Sequence, residues 1–119
     1  DVPSRFLAAE MIREKILAFT GQEVPHAVAV LVDNWDETDR LTRISATIYV
    51  ERDGQKAIVI GAGGAVVKRV GTGARLAMEA FFGKKIFLEL FVKVKPGWRN
   101  EPEFLNELDW RRMVGDRDA

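Results

Sequence analysis

Cysteine is absent from this sequence of 119 residues, and histidine occurs only once, at His26. Without thiols the chain can form neither disulfide bonds nor thiolate metal sites. That fits a reducing compartment, and we expect a cytoplasmic protein. A lone histidine offers no ligand cluster and no catalytic partner. We therefore predict that His26 is structural and that the chain holds no metal.

Long apolar runs and targeting signals are missing as well. No stretch of about 18 apolar residues occurs, which predicts that no helix spans a membrane. The first residues, 1–4, lack the basic and apolar segments of a signal peptide. Because the chain begins with Asp1 rather than methionine, we expect it to be a piece of a longer protein.

Motifs for nucleotide-dependent catalysis are also absent. The phosphate-binding loop G-x-x-x-x-G-K-[ST] does not occur. The dinucleotide fingerprint G-x-G-x-x-G begins at Gly61 and Gly63 but has Val66 where its third glycine belongs. The carboxylates of Asp33 and Asp36 lie in a polar stretch, where nothing desolvates them and shifts their pKa toward the range that acid–base catalysis needs. The sequence therefore predicts no catalytic residues and no cofactor. It favours a binding domain over an enzyme.

The formal net charge is zero, but the charges are unevenly distributed along the chain. Residues 56–100 carry nine basic side chains and only two acidic ones. Residues 1–55 carry six basic and ten acidic side chains, and residues 101–119 carry three and six. A basic middle between acidic ends favours a localised anionic partner such as a nucleic acid. The alternative is chance clustering on a solvated surface.

Hydrophobic periodicity predicts a single α+β domain. Apolar residues recur at helical spacing in two long segments and alternate with polar residues in two others. The pattern predicts first a helix over 4–20 capped by Ser4, a strand over 27–32, a polar loop over 33–40 and a strand over 41–51 that pairs with the first strand as a hairpin. An ambiguous segment over 55–60 and a glycine break over 61–64 follow. The remaining predicted elements are a helix over 65–82, a strand over 85–95 and a short helix that opens at Glu101-Pro102.

The most informative segment is Gly61-Ala62-Gly63-Gly64, directly before the predicted helix 65–82. Glycine allows positive φ and close backbone approach, and the helix that follows offers free N–H groups and the positive end of its dipole. Such a loop favours a phosphate group. The spacing G-x-x-G is the one that clamps a sugar–phosphate backbone in KH domains. A bare G-x-x-G also occurs as a tight turn, which is the alternative interpretation.

Side chains around this loop complete a candidate site for single-stranded RNA. The candidate residues are Gly61, Ala62, Gly63, Gly64, Ile58, Ile60, Val67, Lys68, Arg69 and Lys56. The basic residues would contact phosphates, and the apolar ones would line a groove under stacked bases. The alternatives are a solvated surface for the former and the core for the latter. Trp35 and Trp98 offer further stacking surfaces, although we expect Trp98 to pack against the C-terminal segment.

Several motifs together carry a family resemblance over about residues 4–108. They are Arg5 to Lys15, Val24 to Val30, Ile48 to Lys56, Ile58 to Gly71, Gly83 to Lys95 and Trp98-Arg99. In these segments the sequence resembles the C-terminal RNA-binding domain of the Era family of GTPases, which is a type II KH domain. The combination is far more specific than the glycine loop alone.

The resemblance implies a three-stranded mixed sheet with helices packed on one face, formed by residues 1–108 and followed by a C-terminal tail over 109–119. It implies that the ligand is the single-stranded 3′ end of the small-subunit (16S) ribosomal RNA during biogenesis of the 30S subunit. A GTP-binding domain would lie upstream in the parent protein. The parent would be a GTPase associated with the small ribosomal subunit and peripherally with the membrane.

The loop departs from the family pattern at one position. The family usually has Gly-Lys-Gly-Gly, whereas Ala62 replaces the lysine here. The replacement removes a cation that would neutralise a phosphate, so we expect weaker binding rather than its loss. It also leaves a second hypothesis open, in which the chain is a protein-interaction module whose glycine loop binds no RNA.

Overall fold

A computed structural model describes residues 2–21 and 28–108 of the chain. His26 and the tail 109–119 lie outside the described residues, so the predictions made for them stay predictions. The described helices are α1 (Val2–Thr20), α2 (Asp53–Ile60), α3 (Ala65–Phe82) and α4 (Pro102–Leu108). The described strands are β1 (Val28–Glu37), β2 (Thr42–Val50) and β3 (Ile86–Val94). Short 3-10 turns cover Ala62–Gly64 and Trp98–Asn100.

The three strands form one mixed sheet in the order β1-β2-β3, with β1 antiparallel and β3 parallel to the central β2. The predicted alternation in β2 is confirmed. Ile44, Ala46, Ile48 and Val50 are buried, while the residues between them face the opposite side of the sheet. The chain therefore has the α+β fold that its periodicity and its family resemblance predict.

The polar loop predicted over 33–40 is wrong for its first half, because β1 continues to Glu37. A register shift between Val32 and Asn34 marks a bulge, and beyond it the strand pairs with β2 as far as Thr42. The bulge residue Asp33 accepts a hydrogen bond from the Thr47 hydroxyl at 2.6 Å. The polar residues lie on an exposed part of an edge strand, which requires no apolar side chain.

Helices α1, α2 and α3 pack on one face of the sheet and enclose the main core. Helix α1 begins at Val2, so Ser4 lies in its first turn and not at the predicted cap. Fully buried side chains come from every layer of this core. They are Ala8, Ile12 and Ile16 of α1, Val59 of α2, Val70, Ala74 and Met78 of α3, and the apolar face of β2.

Helix α4 lies on the other face of the sheet, where it forms a smaller core. Trp98 and Phe104 pack there on Ala29 and Tyr49, which alternate in β1 and β2 with residues of the main core. The ring centroids of Trp98 and Phe104 are 5.9 Å apart in an edge-to-face arrangement. Trp98 thus packs the C-terminal segment, as the sequence predicts.

By length and composition alone, the helical stretch Asp53–Phe82 is long and apolar enough to cross a membrane, against the expectation from sequence. A single stretch of this kind is weak evidence, because core helices have the same composition. This one is two helices joined by a bend at the glycine loop. Its second half places Val70, Ala74 and Met78 in the core.

Glu79 ties the end of α3 to the start of β3. Its carboxylate accepts the backbone N–H of Ile86 at 3.0 Å and pairs with Arg75 at 3.1 Å. The hydrogen bond from Ile86 is the largest cause that holds the pKa of Glu79 below its ordinary value of 4.5. Desolvation opposes it, and the charge of Arg75 lowers the pKa further. The ionised carboxylate is therefore the form that stabilises this junction.

We predict that Glu79→Gln makes stability less sensitive to acid. A pKa lowered by folding means that the carboxylate stabilises the fold above its unfolded pKa, and that this contribution disappears as the pH falls through the folded pKa. Between about pH 7 and pH 3, circular dichroism should show a larger fall in Tm for the wild type than for Glu79→Gln. Glu103→Gln, at an exposed position of α4, controls for loss of a negative charge. Equal falls in Tm for the wild type and Glu79→Gln would contradict the assignment.

Candidate RNA-binding site

The glycine loop joins α2 to α3 through a sharp change of chain direction. Helix α2 ends where the Gly61 N–H donates to the Ala57 carbonyl at 2.8 Å, with Gly61 at φ 76° and ψ 170°. The Gly64 N–H then donates to the Gly61 carbonyl at 3.1 Å and closes a 3-10 turn. Residues 55–60, ambiguous from sequence, are therefore helical.

Only glycine fits at Gly61, for two separate reasons. Its φ lies in the region that L side chains rarely adopt, and a Cβ there would be 2.4 Å from Val66 Cγ2 and 2.8 Å from the Val66 backbone nitrogen. Gly63 and Gly64 also have positive φ, at 63° and 82°, but a Cβ on either would meet nothing within 4 Å. The base of the loop is thus closely packed, and its tip is bare and open to a ligand.

Helix α3 starts directly behind this bare tip. Gly64 is its N-cap and provides no side-chain hydrogen bond, and its first turn contains no acidic residue. The first N–H groups of a helix have no partner within the helix, and they carry the positive end of its dipole. The loop and the helix start therefore form a place where an anion of phosphate size is favoured.

A residue that sequence reasoning missed holds the other end of α2. The Gln55 side-chain oxygen accepts the backbone N–H of Glu51 at 2.9 Å and that of Arg52 at 3.0 Å. These bonds connect the end of β2 to the first turn of α2. The signal in sequence is a Gln three residues after the helix cap, but Arg52 stands where the usual capping pattern has serine or threonine.

The three apolar candidates occupy two different environments. Ile58 is partly buried and packs against the main core, which favours the core interpretation for this residue. Ile60 and Val67 are half-buried and belong to neither core cluster, and they flank the glycine loop on its two sides. Ile60 and Val67 are therefore the apolar side chains available beside the loop.

The basic candidates also differ in their environments. Lys68 is exposed in the first turns of α3, and Lys56 is half-buried on α2. The Arg69 guanidinium stacks over the ring of Phe19 at 4.3 Å from its centroid, so Arg69 faces α1. Phe19 lies fifty residues earlier in the chain, and no local sequence signal pairs it with Arg69. Lys68 lines a shallow surface depression together with Phe19 and Arg69, and of the two exposed basic candidates it is the nearer to the loop in the chain.

Both candidate tryptophans take part in packing contacts. Trp98 is only 6% exposed in the smaller core. Trp35 packs edge-to-face on Phe82, with centroids 5.6 Å apart, and donates its indole N–H to Glu37 at 2.9 Å. Within residues 2–21 and 28–108, no group of three or more histidine, aspartate or glutamate side chains is arranged to hold a metal ion.

A family model described as KH domain matches residues 23–99 of the chain. GTPase Era of Nostoc sp. is 50% identical over 93% of this chain and 34% of its own length, and GTPase Era of Coxiella burnetii is 51% identical over 91% and 37%. GTPase Era of Staphylococcus haemolyticus is 50% identical over 99% and 39%, an alignment that extends into residues 109–119. The chain spans little more than a third of the length of these curated relatives.

Two solved structures are similar to this fold at a TM-score of 0.86 and 38% sequence identity. One is an Aquifex aeolicus Era variant bound to GDP·AlF4−, and it is matched over 92% of this chain and 38% of that chain. The other is Era in complex with MgGDPNP and nucleotides 1506–1542 of 16S ribosomal RNA, matched over 92% and 37%.

We predict that Gly61→Ala destabilises the fold by at least about 2 kcal/mol, because it combines an unfavourable φ with the overlap against Val66. Gly63→Ala should cost about 1 kcal/mol, since only the φ is unfavourable there. Urea denaturation measures both values. Adding Val66→Ala to Gly61→Ala should recover only part of the loss, because the backbone nitrogen of residue 66 still blocks the Cβ. Equal losses for Gly61→Ala and Gly63→Ala would contradict the close-packed loop base.

Proposed function

Because the chain belongs to the KH domain family and matches the C-terminal KH domain of GTPase Era, we propose that it binds single-stranded RNA across the loop Gly61–Gly64. The observation that supports this function most is the bare loop tip at the start of α3. Two positive-φ glycines leave open space there, directly before a helix N-terminus without an acidic side chain. A sugar–phosphate backbone is the ligand that such a loop takes in KH domains.

The proposed site divides its contacts between backbone and side chains. Backbone N–H groups of the loop and of the first turn of α3 hold a phosphate. Lys68 adds a positive charge beside it, and Lys56 adds one from α2. Ile60 and Val67 contact the bases, with Ile58 behind them in the core. Arg69, held on Phe19, contributes positive potential from the side of α1. The whole proposed site comprises Gly61, Ala62, Gly63, Gly64, Ile58, Ile60, Val67, Lys68, Arg69 and Lys56.

The RNA proposed for this site is the 3′ end of the small-subunit ribosomal RNA. The support is that a structural neighbour is bound to nucleotides 1506–1542 of 16S ribosomal RNA. A role in biogenesis of the 30S subunit, in the cytoplasm, follows from that partner as part of the same proposal. Peripheral membrane association of the parent protein is implied only by the family resemblance.

Nucleotide hydrolysis is proposed to belong to another part of the parent protein. The relatives are GTPases, and the chain covers little more than a third of them. The phosphate-binding loop that GTP hydrolysis requires does not occur in this sequence. The domain is thus proposed to bring RNA to a GTP-binding domain that precedes it, without catalytic residues of its own.

We predict that the chain binds a short RNA matching a small-subunit rRNA 3′ end more tightly than a scrambled RNA. Fluorescence anisotropy at several salt concentrations measures the affinity. Binding should weaken with salt at a slope of roughly −0.7 per neutralised phosphate. Equal, weak binding of both RNAs would remove the sequence preference, and no binding at low salt would favour the protein-interaction hypothesis.

Charge at the loop tip provides the sharper test. Ala62→Asp with Gly63→Asp places two carboxylates where the phosphate is proposed, and should weaken binding at least about tenfold. The matched control is Ala62→Asn with Gly63→Asn, because asparagine tolerates positive φ equally well and adds no charge. Conversely, Ala62→Lys should tighten binding and steepen the salt slope by about 0.7. Unchanged affinity in the double Asp variant, with Tm values like those of the Asn control, would refute the loop as the RNA site.

A further inference from the structure

Helix α3 has two sides with different neighbours. Gly71 lies on the β3 side, because a Cβ there would be 3.7 Å from Leu90 Cδ1. Gly73 lies on the α1 side, because a Cβ there would be 3.3 Å from Lys15 Cδ. Positions two residues apart in a helix point about 200° apart, so the two sides are opposite. Val67 precedes Gly71 by one turn, and the groove proposed for bases therefore lies on the β3 side.

A shallow depression of about 380 Å³ lies on the α1 side of α3, outside that groove. It is lined by Phe19 from α1 and by Lys68, Arg69, Thr72 and Gly73 from α3. Among the described residues, the lining combines two cations, a hydroxyl group and an aromatic ring, and it includes no carboxylate. A concave surface with charges of one sign favours a ligand of the opposite sign, which here is an anion.

The two cations of the depression are not used by the fold. Residues 56–100 include nine basic side chains, of which four pair with carboxylates, namely Arg75, Lys84, Lys95 and Arg99. Within the part of the chain that the structure describes, neither Lys68 nor Arg69 forms an ion pair, and both are exposed. These two neighbouring charges are therefore available to a bound anion.

Phe19 holds the Arg69 guanidinium before any ligand arrives. The guanidinium carbon lies 4.3 Å from the centroid of the Phe19 ring, whose face attracts a cation. The N–H groups lie at the edges of the planar guanidinium, so contact with the ring leaves them able to donate to a phosphate. A side chain that is already positioned loses less conformational freedom on binding. The depression thus contains a cation that is oriented in advance.

The depression lies a short distance along α3 from the loop tip. Lys68 follows the N-cap Gly64 by four residues and Thr72 follows it by eight, which corresponds to about 6 Å and 12 Å along the helix axis. The loop of a KH domain clamps about four nucleotides. An RNA strand held at the loop therefore reaches the depression only if it extends beyond those nucleotides.

We propose that this depression is a second phosphate site, which binds the part of an RNA strand that extends past the glycine loop. Arg69 and Lys68 contact the phosphate, and the Thr72 hydroxyl donates a hydrogen bond to it. Phe19 is a positioning residue that acts through Arg69. The proposal rests on the proposed RNA binding at the loop, and it adds a contact on the opposite side of α3 from the groove for bases.

Fluorescence anisotropy with two single-stranded RNAs tests this site. One RNA has about five nucleotides and spans the loop, and the other has about fifteen and extends the same sequence in both directions. Arg69→Gln should weaken binding of the longer RNA about tenfold and reduce its salt slope by about 0.7, with less than about a twofold effect on the short RNA. The matched control is Lys93→Gln, because Lys93 is an exposed residue of β3 on the other face of the sheet. It should change neither affinity by more than about twofold.

Phe19 is tested through its effect on Arg69. Phe19→Leu keeps an apolar side chain without a ring and should weaken binding of the longer RNA about threefold, whereas Phe19→Tyr keeps the ring and should bind like the wild type. The loss in Phe19→Leu should disappear when Arg69 is already Gln, because no guanidinium remains to be positioned. An equal loss in both backgrounds would overturn the positioning role.

The two RNA lengths separate failure of this site from failure of the proposed function. If Arg69→Gln weakens both RNAs equally, or if the wild type binds the longer RNA no more tightly than the short one, the second site is overturned and RNA binding at the loop stands. If the wild type binds neither RNA, the proposed function is overturned and the second site with it.

Discussion

The parallel pairing of β3 with β2 is the constraint on which the rest of the structure depends. Parallel neighbours cannot be joined by a tight turn, so the chain must cross back over one face of the sheet. Helices α2 and α3 are that crossover, and the glycine loop is the bend between them. Because Ile86 pairs with Thr42, α3 ends at the start of β2. The loop therefore lies toward the carboxyl ends of β2 and β3, with its position determined by the core.

This arrangement separates the part of the loop that holds the fold from the part that is free to bind. Gly61 serves packing, since its missing side chain lets α3 start against the end of α2. Gly63 and Gly64 serve conformation only, and the space above them is open. Val66 connects the two roles, because it fills the space that a side chain at residue 61 would need and also packs on the main core. A rigid base under a bare tip keeps the backbone N–H groups in place before a ligand arrives, which reduces the ordering cost of binding.

The sequence predicts most of this architecture where the signal is local. The alternation of β2, the full extent of α3 and the glycine break are all visible in the residue pattern, and the resemblance to the Era family is confirmed. The features that the sequence did not predict depend on contacts between residues that are distant in the chain. Residues 33–37 look like a loop because an exposed edge strand with a bulge needs no apolar face. The contact between Arg69 and Phe19 joins two helices fifty residues apart, so no spacing rule could place Arg69 on the α1 side of α3.

Because Ala62 replaces a lysine, the proposed site relies less on side-chain charge and more on the geometry of its hydrogen bonds and base contacts. In the family pattern a lysine at this position brings a cation to the phosphate. Here the loop tip itself offers only backbone N–H groups and the dipole of α3, and Lys68 follows in the first turns of that helix. Directional hydrogen bonds lose less strength in salt than exposed charges do. RNA binding through this loop should therefore depend more on the fit of bases against Ile60 and Val67, and less on ionic strength, than in a relative that keeps the lysine.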